Sequence, residues 1–177
     1  VSSEFQKRKV AGVFYALDVD QDGYLEEEDF QCLTDRWNEL RGYQPGTPDF
    51  DRITAVMMGW WQALLAASDL DRDNRVTLDE VMLVVDQLPH VRDQVEGTAS
   101  AMFDVVDENG NGEVSPAEYN QMIEAWKGGE VDTDGVFRFL DGDGDGHISR
   151  QEFVDLWADF WIGDDQASPS KWVFGPF

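Results

Sequence analysis

The sequence predicts an all-α fold: four helix–loop–helix units in two pairs, closed into one compact body, with short β contacts between paired loops. Three observations predict it. Side chains bearing oxygen recur at alternate positions in four separate runs. Each run closes on a carboxylate at its twelfth position. Apolar residues at helical spacing flank every run.

The runs are Asp18-Val-Asp20-Gln-Asp22-Gly23 leading to Asp29, and Asp69-Leu-Asp71-Arg-Asp73-Asn74 leading to Glu80. They continue with Asp107-Glu-Asn109-Gly-Asn111-Gly112 to Glu118, and Asp141-Gly-Asp143-Gly-Asp145-Gly146 to Glu152. This is the spacing of the EF-hand loop, which supplies oxygens from positions 1, 3, 5 and 7 and a carboxylate at 12. Ca²⁺ takes about six to eight oxygens in a flexible shell, and a loop coiled round it turns alternate side chains inward. Position 6 must turn with φ > 0, which suits Gly23, Gly112 and Gly146, and Asn74 next best. Position 7 offers only its carbonyl, so Tyr24, Arg75, Glu113 and His147 are all acceptable there. Position 8 is apolar throughout (Leu25, Val76, Val114, Ile148), the pattern for a two-strand contact coupling loop one to two and three to four.

The expected ligands are therefore Asp18, Asp20, Asp22, Tyr24 and Asp29, with Glu26 reached through water; Asp69, Asp71, Asp73, Arg75 and Glu80; Asp107, Asn109, Asn111, Glu113 and Glu118; and Asp141, Asp143, Asp145, His147 and Glu152. Up to four Ca²⁺ are expected, with Mg²⁺ competing. Asp29 is one methylene shorter than the usual Glu, which hinders two-oxygen coordination and favours six-coordinate Mg²⁺ in loop one. Loop three has fewer charges, which weakens attraction and also lessens repulsion; the sequence leaves the balance open. Thr77-x-x-Glu80, Ser115-x-x-Glu118 and Ser149-x-x-Glu152 also read as helix capping boxes. Capping alone does not require oxygens at positions 1, 3 and 5.

Helices are expected in order. Phe5–Leu17 enters loop one, with Val10, Val13, Phe14 and Leu17 on one face. Phe30, Leu33, Trp37 and Leu40 follow it. Residues 41–48 break the pattern with Gly and Pro. A long helix from Thr47-Pro48 carries Phe50, Ile53, Met57, Trp60, Trp61 and Leu64. The second half continues with Val95–Val106, Tyr119–Trp126, Val136–Leu140 and Phe153–Trp161. This divides the chain into residues 1–88, 89–163 and an apolar tail, 164–177, expected to fold back between the hands, since exposed Trp172, Val173, Phe174 and Phe177 would form an adhesive patch.

The 37 acids against 13 bases give a formal charge of −24. Four divalent ions would leave −16 by the same count. Nucleic-acid and anionic-membrane binding are disfavoured. There is no basic patch in the sequence, no twenty-residue apolar run and no secretory signal. The lone Cys32 excludes an internal disulfide, suits a reducing compartment and reads as a small buried hydrophobe. Five scattered methionines are too few for a calmodulin-like groove. Trp60, Trp61, Trp126 and Trp157 are candidates to line a ligand cavity. With His90 and His147 the only histidines, no spaced catalytic constellation exists, and enzyme activity is not expected.

The chain resembles the invertebrate sarcoplasmic calcium-binding proteins. The resemblance rests on Phe5-Gln6-Lys7-Arg8-Lys9 before loop one, on Asp29, on Glu28-Asp29-Phe30-Gln31-Cys32-Leu33, on the long first linker and on Phe174-Gly175-Pro176. It implies a nearly spherical fold of four hands and a monomeric cytosolic buffer of Ca²⁺ and Mg²⁺, in muscle sarcoplasm or neuronal cytosol, with no obligatory protein partner. Members often carry one or two degenerate hands, whereas all four loops here keep the ligand pattern. Two other functions use a similar frame: a calexcitin-type sensor whose tail is released by metal, and a coelenterazine-binding protein.

Overall fold

The computed structural model describes residues 3–174; Gly175, Pro176 and Phe177, which end the apolar tail, lie outside the described residues, as do residues 1–2. Eight α-helices carry the described fold: α1 (Glu4–Leu17), α2 (Glu27–Arg41), α3 (Pro48–Ser68), α4 (Leu78–Val85), α5 (Arg92–Val106), α6 (Pro116–Lys127), α7 (Asp134–Leu140) and α8 (Arg150–Ile162). A 3₁₀ turn, Leu88–Val91, joins α4 to α5, and a second, Pro169–Trp172, follows α8. The fold is the predicted all-α class.

Local chemistry sets the boundaries. Thr47 caps α3 by accepting from the Phe50 N–H at 3.4 Å, with Pro48 at the first helical position, where its missing N–H costs nothing. Gly42 and Gly128 close α2 and α6 in the left-handed region, at φ 69° and 77°. The structure extends the expected helices backwards by a turn or less, as at Arg92 for α5, because apolar periodicity marks the buried face and not the cap.

The paired loops meet as their apolar eighth residues predict. Leu25 and Val76 form a bridge, exchanging N–H···O bonds of 2.8 and 3.0 Å. Strands β1 (Glu113–Val114) and β2 (Ile148–Ser149) pair antiparallel, Val114 opposite Ile148. All four residues are buried, so each bridge is also a packing contact.

Helix α5 packs on α8, α2 on α3, and α2 also on α6, joining the two halves through one continuous core. Arg41 reinforces that junction. Its side chain, wholly buried, donates to the carbonyls of Val105 and Val106 at the end of α5 and lies 3.8 Å from Glu108. A guanidinium there meets the negative end of a helix.

The tail returns to the core. Phe174 stacks on Trp126 at 4.5 Å and meets Phe160 at 4.6 Å, Trp157 at 5.0 Å and Trp161 at 5.6 Å. Val173 and Ser170 are buried beside it, and the Tyr119 hydroxyl donates to the Trp172 carbonyl at 2.6 Å. Three of the four candidate cavity tryptophans cluster: Trp60, Trp126 and Trp157 meet pairwise at centroid distances of 5.9, 5.9 and 6.2 Å. Trp60 and Trp157 line an apolar cavity of about 130 Å³, Trp61 lies against Phe30, and Trp126 is covered by Phe174. That volume suits about one aromatic ring. Cys32 is half-buried, not enclosed.

Candidate metal centres

Each loop starts the same way. Asp18, Asp69, Asp107 and Asp141 are the C-caps of α1, α3, α5 and α7, with φ between −72° and −81° and ψ between 81° and 85°. From there the backbone coils through two left-handed residues. Position 6 is Gly23, Asn74, Gly112 or Gly146, as the sequence predicts. Position 4 (Gln21, Arg72, Gly110, Gly144) turns the same way, at φ 59–70°; Gln21 and Arg72 gave no sign of this in the sequence.

The coil aims N–H groups at the side-chain oxygens and so fixes them. The position-1 carboxylates accept from the position-6 N–H at 2.9, 3.0, 2.8 and 2.7 Å in loops one to four. Position 3 accepts from the position-5 N–H, at 3.1–3.3 Å. Position 5 accepts from the position-7 N–H at 2.9 Å in every loop. Asn109 and Asn111 therefore present their amide oxygens as the aspartates do elsewhere. Among the described residues, carboxylate oxygens converge within 4.8 Å in three groups: Asp18, Asp20, Asp22; Asp69, Asp71, Asp73; and Asp141, Asp143, Glu152. Such neighbours repel by roughly 1 kcal/mol per pair in water and ~4 at an effective dielectric near 20.

The twelfth residues divide into two kinds. In loops one to three the carboxylate stitches the ends of its loop together, accepting from the position-2 and position-9 N–H groups. The distances are 3.0 and 2.9 Å for Asp29, 2.9 and 3.0 Å for Glu80, and 2.6 and 3.0 Å for Glu118. An ionised carboxylate has about four lone-pair sites, so two remain on Asp29 and Glu118, and one on Glu80, which also accepts from the Thr77 hydroxyl at 3.1 Å. Thr77 and Ser115 complete the predicted capping boxes, and Glu26 with Asp29 adds one the sequence reading missed. In loop four the predicted box is only half formed. Ser149 accepts from the Glu152 N–H at 3.2 Å, but Glu152 turns into the loop. Its Oε2 is buried with no partner among the described residues. A buried, unpaired carboxylate oxygen facing two more carboxylates is costly unless a cation joins them. The residues fit a hard divalent ion.

Position 7 has a second use. The Arg75 guanidinium lies over the Tyr24 ring at 4.4 Å and near Glu26 and Asp73, at 3.8 and 3.6 Å. His147 Nδ1 lies 3.9 Å from Glu113. In both pairs, then, the seventh residue of one loop touches that of its partner, a cross-loop contact visible in the sequence only once loop pairing is assumed.

Burial, with Asp20 and Asp18 beside it, holds the Asp29 carboxyl above the usual range despite its two backbone donors. Burial and Asp143 do the same for Glu152. Both groups bind protons more tightly folded than unfolded, so their stabilising contribution is present at low pH and is lost as pH rises through the folded value. Chelator-treated protein should therefore melt higher at mildly acid pH than at pH 7. Ca²⁺-loaded protein should show the reverse, because protons then compete with the ion.

Comparison with known proteins agrees with this geometry. A family model described as EF hand matches residues 10–32, 100–123 and 131–157, spanning loops one, three and four. The sarcoplasmic calcium-binding protein alpha chain of Penaeus vannamei is 27% identical, covering 93% of this chain and 91% of that one. Three segments of the chain thus match the EF-hand model, and most of its length is similar to the sarcoplasmic calcium-binding proteins. Among solved structures, the amphioxus sarcoplasmic calcium-binding protein superposes with a TM-score of 0.75 at 18% identity, covering all of both chains. The coelenterazine-binding protein of Renilla muelleri, in its Ca-loaded apo form, gives 0.73 at 19%, covering 99% and 100%. These two likenesses concern the fold. Loop two lies outside the matched segments but has the same backbone turns and hydrogen bonds as the others.

Proposed function

We propose that this protein is a high-affinity, non-enzymatic buffer of Ca²⁺ and Mg²⁺ acting as a monomer in the cytosol. The observation that carries the reading is the near-identity of the four loops, with the unpartnered Glu152 oxygen facing Asp141 and Asp143 in the fourth. Side-chain oxygens of positions 1, 3, 5 and 12 and the carbonyls of Tyr24, Arg75, Glu113 and His147 would hold the ions, Glu26 acting through water. Site affinities toward the ~10⁻⁹–10⁻⁷ M end of the EF-hand range suit a buffer. The short Asp29 arm would make loop one the site where Mg²⁺ competes best. Residues 1–88 and 89–163 would act as two coupled pairs, with 164–177 as an internal stopper in place of a target groove. The sequence relatives named for calcium binding support this reading. No described helix is long and apolar enough to cross a membrane.

Ca²⁺ titration against a competing chelator, in millimolar Mg²⁺, tests it. Four sites are expected, at least two of them tight. Glu152→Gln should weaken one site by at least ~100-fold, since loss of outer-shell partners alone typically costs 10–100-fold. An unchanged titration curve would refute the assignment of loop four.

A further inference from the structure

One surface departs from the acidity of the chain. A groove of about 930 Å³ runs along α1, past the C-terminal end of α6 and the 3₁₀ turn Pro169–Trp172. Among the described residues its walls gather Arg8, Lys9, Arg36, Lys127 and Lys171 against one acid, Asp18. That is five of the chain's 13 Lys and Arg. They come from α1, α2, α6 and the turn within the tail, so the sequence, which shows no basic patch, gives no sign of their convergence.

Among the described residues Arg8, Lys9, Arg36 and Lys171 form no ion pair with a carboxylate, although the chain has 37 acids to offer. Lys9 is buried, and its ammonium donates to two neutral acceptors, the carbonyls of Phe160 at 2.8 Å and Gly163 at 3.1 Å. Asp159 and Asp164 act on it only through space, and burial lowers its pKa to about 8. Lys171 donates to the Gln166 carbonyl at 2.8 Å and lies over the Trp172 ring at 5.3 Å. Arg8 lies over Phe5 at 5.9 Å. Arg36 packs so tightly on Gly128 that a Cβ there would stand 2.7 Å from its guanidinium carbon. Among the described residues no carboxylate forms an ion pair with Arg8, Arg36 or Lys171. Aromatic rings complete the lining: Tyr15 is exposed and Trp172 half-buried, with Phe5, Trp126, Phe160 and Phe174 buried behind them.

We propose that this groove is a binding site for a small amphipathic organic anion. Its flat apolar body would lie on the accessible Tyr15 and Trp172 rings and its single acidic head among Arg8, Arg36 and Lys171. The volume falls within the ~300–1,000 Å³ of small-molecule sites, and an apolar lining with a few placed charges is what such sites share. A polyanion is a poor occupant, because five cations cannot offset repulsion by a body of −24.

The test uses the full chain saturated with Ca²⁺, with 2-naphthoate as probe and neutral 2-naphthylmethanol as control, by titration calorimetry. Saturable binding of one naphthoate is expected, at least ~10-fold tighter than the alcohol, as charge-assisted contacts require. The double substitution Arg8→Gln with Arg36→Gln should lose at least ~10-fold of that affinity while leaving the Ca²⁺ titration unchanged. The proposal is overturned if the alcohol binds as well as the acid, or if the double variant binds naphthoate normally. A third arm uses the chain shortened after Phe174. Equal binding supports the proposal; binding by the shortened chain alone overturns it, making the chain's own last residues the occupant.

Discussion

Saturating Ca²⁺ should raise the melting temperature by at least ~20 °C over chelator-treated protein. The acids at ligand positions repel one another, and the native backbone holds them together. An ion that binds the folded chain alone stabilises it by RT ln(1 + [L]/Kd), which is about 5.5 kcal/mol for one site with Kd ~10⁻⁷ M in 1 mM Ca²⁺. In a chain of this size each kcal/mol moves the midpoint by roughly 2–4 °C. One such site therefore contributes about 10–20 °C, and further sites add to it. Scanning calorimetry at fixed pH measures the shift directly. A change below ~5 °C would mean that the loops are occupied weakly or are not coupled to the fold.

Phe174→Ala should cost about 3–5 kcal/mol, the usual range for emptying a buried aromatic site. The ring is 7% exposed and meets four other rings, two from α8's inner face, one from its end and one from α6. Its loss would open a void between α6 and α8 and unpin the turn whose carbonyl accepts from Tyr119. Urea unfolding in saturating Ca²⁺ measures this. Phe174→Leu should lose less, since part of the volume is kept. A cost below ~1 kcal/mol for the alanine variant would show that the tail adds little to the core.

Much of this was legible in the sequence because loops of this kind are local. Alternate oxygens, a left-handed sixth residue and an apolar eighth residue are all set within twelve positions. Leu25–Val76 and Val114–Ile148 accordingly meet as read. What depended on three dimensions was not legible. The left-handed turns at Gln21 and Arg72 run against residue preference, and loop closure imposes them. Ser149-x-x-Glu152 has the same spacing as the two complete boxes, yet Glu152 leaves its capping position, a choice that spacing cannot encode. The basic groove draws on residues more than a hundred positions apart. Asp29 shows the opposite case: the short side chain was noticed, while its capping role with Glu26 was hidden because Glu is not a favoured cap.

The central claim is that metal consolidates the body and does not open a target surface. The most direct measurement is the fluorescence of a neutral hydrophobic dye, Nile red, with metal-free and Ca²⁺-loaded protein in millimolar Mg²⁺. A neutral dye keeps the cationic groove out of the signal. Emission should fall as Ca²⁺ is added, because the loops close over a core already plugged by Val173 and Phe174. Emission that rises with Ca²⁺ would mean an apolar surface is exposed by metal, and the protein would be a sensor.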